Sequence, residues 1–121
     1  MPAAKPFRER FSLEKRKGEA QKVLGKYTDR VPVIVERGRG GNDIGEIDKC
    51  KYLVPRDLTV GQFQYIIRKR IKLDPKEALF VFVNNQLPPA TALMSQVYKQ
   101  HQAEDGFLYV QYSGESAFGA R

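Results

Sequence analysis

Between Lys51 and Asn85 the chain reads strand, helix, strand, and this order limits what the remaining residues can build. Tyr52, Leu53 and Val54 form a short apolar run stopped by Pro55. Asp57 or Thr59 then offers a side-chain oxygen to the free N–H groups of a first helical turn. Val60, Phe63, Ile66, Ile67 and Ile71 recur at helical period, while Gln62, Gln64, Arg68, Lys69 and Lys72 fill the opposite side. Asp74 before Pro75 is expected to end the helix, because the residue preceding proline is pushed out of the α region. Leu79–Val83 is an apolar β-type run, closed by a turn at Asn84–Asn85. The unit has the length of a βαβ crossover, so the flanking segments must supply sheet partners and cover.

The flanks do so. Pro6 starts a short helix that puts Phe7 and Phe11 on one side. Ser12 caps a second helix whose buried stripe is expected at Leu13, Ala20, Val23, Leu24 and Tyr27, ending at Gly25 or Thr28. Val31–Pro32–Val33–Ile34–Val35 is a β-branched strand. Pro32 has no N–H, so one side of this strand near Pro32 should be an edge or be unpaired. Residues 37–43 form a glycine-rich connector, and 44–48 a turn. Leu87–Pro88–Pro89 is an extended corner, residues 92–102 a short covering helix carrying Leu93, Val97 and Tyr98, and residues 107–112 a last strand. Four strands around one long helix, with two helices in front, is an α+β fold of β-grasp plan. The domain layout is a helical extension over residues 1–28, a core over 29–113 and a tail over 114–121. The tail has no periodic apolar face and is expected to project from the body.

A chain of 121 residues that is 41% hydrophobic and 29% charged suits one globular domain. No apolar run has the length of a membrane span and no signal core opens the chain, so a cytosolic or nuclear location is expected. The single cysteine, Cys50, fits a reducing compartment. The net charge is +7, and residues 1–30 hold nine Lys/Arg against four acids, a segregated excess that favours a partner-facing patch. Catalysis is not expected. Cys50 and the one histidine, His101, have nothing to orient them as a pair, and no zinc-ligand spacing exists. The basic run Arg68–Lys72 has no interleaved aromatics for base stacking, so no nucleic acid is expected as a partner. The end is unusual: Phe118–Gly119–Ala120–Arg121 places a glycine near the end of the tail, where a backbone without Cβ can enter a narrow enzyme channel.

Several consecutive segments carry a resemblance. They are Tyr27–Glu36, Lys51–Pro55, Asp57–Phe63, Ile67–Ile71, Ala78–Phe80, Phe82–Asn85, Glu104–Asp105 and Phe107–Tyr109. In this order they resemble the autophagy ubiquitin-like modifier family, which includes the GABA-receptor-associated proteins, from about Phe7 to Gly119. The resemblance implies a ubiquitin-like β-grasp: a four-stranded mixed sheet wrapped on a central helix, with two extra N-terminal helices. It implies a cysteine protease that cuts Gly119–Ala120, then activating and conjugating enzymes that carry Gly119 as thioesters to phosphatidylethanolamine. That lipid, covalently bound on Gly119, is the only attached group implied; no cofactor and no metal are. The lipidated form would sit on autophagosomal membranes and reach the vacuole or lysosome, the free form being cytoplasmic. Cargo receptors would add an aromatic-x-x-aliphatic peptide to an exposed sheet edge. The first pocket would be Glu19, Val23, Pro32, Ile34, Lys51, Leu53 and Phe107. The second would be Tyr52, Val54, Pro55, Leu58, Phe63 and Ile66, and Arg30 and Arg70 would meet the acids that flank such peptides. A second reading stays open: an unconjugated adaptor that uses the basic N-terminal patch to link receptors or microtubules to vesicle trafficking. The connector 37–43, Cys50, and Gly106 before Phe107, where a bulkier residue is usual, depart from the pattern of close relatives.

Overall fold

The computed structural model describes residues 5–38 and 44–115. In chain order the elements are α1 (Phe7–Arg10), α2 (Leu13–Lys26), β1 (Arg30–Arg37), β2 (Lys51–Pro55), α3 (Val60–Arg70), β3 (Phe80–Phe82), α4 (Met94–His101) and β4 (Leu108–Ser113). The strands form one sheet in the order β2-β1-β4-β3. β1 is antiparallel to β2 and parallel to β4, and β3 is antiparallel to β4. This is the mixed four-stranded sheet of the expected ubiquitin-like fold. Most of the connector and every residue after Glu115, Gly119 included, lie outside the described residues.

β2 and β3 run parallel, as a crossover requires, but they occupy opposite edges, with β1 and β4 between them. Composition explains the placement. Val31, Val33, Ile34 and Val35 of β1 are all fully buried, as a strand covered on both faces must be. β2 instead alternates buried and half-buried residues, which suits an edge. Pro32 is accommodated because the β4 ladder begins one residue later, at Val33 opposite Leu108. The Val35 amide donates to Cys50 O, so by alternation position 32 turns its backbone away from β2, toward a stretch where no ladder bond is needed.

Both main helices start at side-chain caps. Ser12 Oγ accepts from the Lys15 amide. Thr59 makes a full capping box with Gln62, each side chain satisfying the other's backbone N–H. α3 does not reach Asp74. It stops at Arg70 because Lys72 adopts a left-handed conformation, φ 55°. The Lys72 amide donates to Lys69 O and the Leu73 amide to Arg68 O, the paired bonds that close a helix C-terminus.

The two faces of the sheet carry different cores. Val31, Val33, Val35, Tyr52, Val54, Leu108, Val110 and Tyr112 point toward Val60, Phe63 and Ile67 of α3 and Met94, Val97 and Tyr98 of α4. On the other face Ile34, Phe107 and Tyr109 meet Phe7 of α1 and Ala20 of α2. Leu13 and Tyr27, expected in the buried stripe of α2, are instead about one-third exposed, 36% and 37%. They stand at the two ends of α2, and only its middle, at Ala20, is fully buried on the sheet.

Candidate peptide-binding groove

Among the described residues β2 pairs only with β1. Tyr52 and Val54 lie opposite Val33 and Val31, in the same ladder phase as the bonded pair Val35 and Cys50. Lys51 and Leu53 fall in the other phase and turn their amides and carbonyls outward. Pleating also sorts the side chains: Tyr52 and Val54 enter the α3 core, while Lys51, Leu53 and Pro55 face the α2 side. An outward-facing backbone thus runs beside the gap between β2 and α2.

Of the residues expected to form the first pocket, Pro32, Ile34 and Phe107 are buried, while Glu19, Val23, Lys51 and Leu53 are half-buried. Ile34 and Phe107 belong to the apolar cluster beneath α1 and α2. Val23 and Glu19 lie on α2, and Leu53 and Lys51 stand on β2. Lys51 Nζ donates to a Glu19 carboxylate oxygen, bridging the gap. Ile34 and Phe107 are completely buried, so a peptide side chain can reach them only if α2 and β2 separate. Both bridging side chains are well exposed, so opening this tie costs little.

The second set is more divided. Tyr52, Val54 and Phe63 are core residues, and the Tyr52 and Phe63 rings meet edge to face at 6.0 Å. Only Pro55, Leu58 and Ile66 retain accessible surface, with Ile66 at 37%. The Tyr52 hydroxyl is buried without a hydrogen-bond partner among the described residues. Burial pushes its pKa up, opposed by the nearby Arg70 charge. Arg70 binds Asp48 at 3.1 Å, and Arg30 donates to the Leu53 carbonyl at 3.3 Å. Both guanidinium groups therefore stand at the β2 edge, each already holding one acceptor.

α2 is docked on the sheet by a polar cluster. Asp105 is buried, and its carboxylate accepts from Arg16 Nη1 at 2.6 Å, the Tyr109 hydroxyl at 2.5 Å and the Phe107 amide at 2.9 Å. Arg16 Nε also donates to Phe11 O, tying the α1–α2 junction to the same point. Burial, reinforced by the bond to Asp105, raises the Tyr109 pKa to about 12. Arg8 stacks on the Tyr109 ring at 3.8 Å, and the Phe7 amide donates to Glu36 at 2.7 Å. None of these groups stands out in the sequence. Arg16 breaks an apolar stripe, and Asp105 beside Gly106 looks like an ordinary turn acid. Cys50 and His101 have separate neighbours: Arg10 Nη2 lies 3.4 Å from the thiol, and the His101 ring meets the Asn84 amide.

Three comparisons agree with this architecture. Residues 15–119 match the family described as "Autophagy protein Atg8 ubiquitin like". Autophagy-related protein 8 of Schizosaccharomyces pombe is 59% identical over 113 residues, 93% of each chain. Autophagy-related protein 8d of Arabidopsis thaliana is 56% identical over 117 residues, 97% of each. The crystal structure of Trypanosoma brucei ATG8 superposes with a TM-score of 0.86 at 44% identity, covering 97% of this chain and all of that one. With its mixed sheet, central helix and two leading helices, the chain belongs to the Atg8 family of ubiquitin-like autophagy proteins.

Proposed function

We propose that this chain is cleaved after Gly119, conjugated through that residue to phosphatidylethanolamine on autophagosomal membranes, and there binds aromatic-x-x-aliphatic segments of cargo receptors. The observation that supports the binding half most directly is the free β2 edge beside the α2 gap. A peptide added as a strand pairs with the outward amides and carbonyls of Lys51 and Leu53. Its aromatic residue enters over Ile34 and Phe107, and its aliphatic residue meets Pro55, Leu58 and Ile66. Acids before the aromatic approach Arg30 and Lys51; Arg70 serves those further along.

The conjugation half follows from the chemistry of the end. Hydrolysis of the Gly119–Ala120 amide frees the Gly119 carboxylate and releases Ala120–Arg121. Adenylation by ATP activates that carboxylate, and an enzyme thiolate displaces AMP to give a thioester. The lipid amine then attacks the thioester carbonyl, forming an amide and returning the thiol. Glycine suits each enzyme channel because it brings no side chain.

The test incubates the full chain and Gly119→Ala with the family's protease, activating and conjugating enzymes, ATP and phosphatidylethanolamine liposomes. Mass spectrometry should show loss of Ala120–Arg121 and a phospholipid adduct on the parent alone. Equal lipidation of Gly119→Ala, or none of the parent, would overturn the conjugation reading and leave the unconjugated adaptor in its place.

A further inference from the structure

α2 is held above the sheet by one short turn, through two independent features. The first is the Asp105 carboxylate, which binds Arg16 of α2 with one oxygen and the Phe107 amide with the other. It therefore links the helix that carries Glu19 and Val23 to Phe107 of the same expected pocket. The second is steric. Gly106 has φ +92°, and a Cβ built there would lie 3.0 Å from the Ala20 Cβ. Ala20 is fully buried, so α2 rests directly on the turn at its point of closest approach. Arg16, Glu19 and Val23 share one helix face, since residues three, four and seven apart stack along a helix. Any change in the height of Arg16 and Ala20 is carried to Glu19 and Val23.

We propose that the Asp105–Gly106 turn is the spacer that sets how wide the first pocket opens, so that these two positions determine which aromatic residue a bound peptide prefers. Neither residue touches the peptide; both act by placing α2. The inference rests on the peptide-binding reading above. It explains why a fully buried carboxylate and a close helix contact stand behind a pocket that must open. A rigid spacer limits the travel of the wall, while the exposed Glu19–Lys51 bridge opens at little cost. A methyl group at position 106 strains the turn at φ +92° and presses it against Ala20, and removing the charge at 105 loosens the tie to Arg16; either change shifts α2, widens the pocket and favours the larger ring.

Three synthetic peptides identical except for Trp, Tyr or Phe at the aromatic position test this by calorimetry on the parent, Asp105→Asn and Gly106→Ala. A fourth peptide replaces the aliphatic Leu by Ala. In both variants the ratio of Trp to Phe affinity should rise by about threefold or more, a discrimination of the modest size that pocket fit supplies. The factor lost on the Leu-to-Ala change should stay that of the parent. The nuclear Overhauser contact between Val23 and Leu53 methyls should weaken in parallel. A purely structural role would lower affinity for all peptides by one factor, and that result overturns the proposal, as does an unchanged ratio in the folded variants. If one variant fails to fold, the other carries the test, with Arg16→Lys pulling on the same tie from the helix side. A parent that binds none of the three peptides overturns the groove reading itself, a different outcome from a parent that binds and variants that do not discriminate.

Discussion

On the α3 side of the sheet, an extended cluster of buried aliphatic and aromatic side chains closes the interface. On the α2 side, among the described residues, a smaller cluster of five buried residues with Phe11, Cys50 and Ala103 against it is supplemented by Arg16–Asp105–Tyr109, by Phe7 N–H on Glu36 and by Arg8 on the Tyr109 ring. The first face is sealed by non-directional burial, which gains with every square ångström removed from water. The second is positioned by directional bonds to a few atoms, which fix a helix without covering everything beneath it. The same sheet thus closes an apolar core on one side and carries a polar-docked helix on the other.

The sharpest contrast comes from truncating one residue on each face. Phe63 is 1% exposed and meets the Tyr52 ring edge to face. Phe63→Ala should lower stability by about 4 kcal/mol, the usual scale for emptying a buried aromatic site. The loss should appear as a lower denaturant midpoint with all probes shifting together. Arg16→Ala removes one partner of a buried carboxylate and should cost about 3 kcal/mol. Its mark should be regional: hydrogen exchange accelerates in α1 and α2 while β1, β4 and α3 stay protected. If Arg16→Ala loosens α3 as much as α2, the two faces are one cooperative unit and the contrast fails.

How far each face was legible in the sequence follows the same division. Val60, Phe63 and Ile67 announce the α3 core because a periodic apolar stripe has one reading. The run at 31–35 likewise reads as a strand, although Pro32 points to an edge or unpaired side and β1 is interior. What stayed hidden was long-range and polar. Arg16 and Asp105 are 89 residues apart, and nothing local signals that an arginine in a helix will meet a turn acid. The end of α3 was hidden too, because a lysine at φ 55° occupies a position where glycine would have been the visible sign. The exposure of Leu13 and Tyr27 belongs with these. They are apolar at the right period, but the helix ends do not follow the sheet surface that its middle touches. For the groove, Glu19, Val23, Lys51 and Leu53 of the first set keep accessible surface, whereas Pro32, Ile34 and Phe107 of that set, like Tyr52, Val54 and Phe63 of the second, are buried. Apolar character alone does not tell a lining side chain from a core one.

Alkaline pH probes both faces at once. Burial raises Tyr109 on the α2 side and Tyr112 on the α3 side to about 12. Their folded pKa values exceed the unfolded value of about 10, so their contribution to stability is complete below pH 10 and is lost as pH rises toward 12. Each is worth on the order of 2 kcal/mol across that window. Denaturant midpoints at successive pH values should be flat below pH 9 and fall steeply above pH 10. Tyr109→Phe should reduce that fall by removing the α2-side group, at the expense of the bond to Asp105 at neutral pH, while Tyr52, Tyr98 and Tyr112, all raised by burial on the α3 side, remain. A Tyr109→Phe curve parallel to the parent's would place the alkaline sensitivity on the α3 side alone.

The smallest stability change is expected where the two faces meet the edge, at Leu53. Its side chain is only half-buried, turned toward α2, and belongs to neither buried cluster. Leu53→Ala therefore removes little that folding buries, and the denaturant midpoint should move by less than about 0.5 kcal/mol, as for surface substitutions generally. Affinity for an aromatic-x-x-leucine peptide should nevertheless fall by about 2 kcal/mol, because the leucine walls the pocket that the aromatic fills. The backbone of β2 is untouched by the change, so strand pairing by Lys51 and Leu53 remains available, and the loss should appear mainly in the dissociation rate. The two numbers together are the test. A large stability loss would place Leu53 in the α2-side core and close the groove as a site. Unchanged affinity with the fold intact would move the binding surface elsewhere. Affinity lost without stability shows the division between the faces in one residue, because a side chain that the folded protein barely uses is then the one its partner needs.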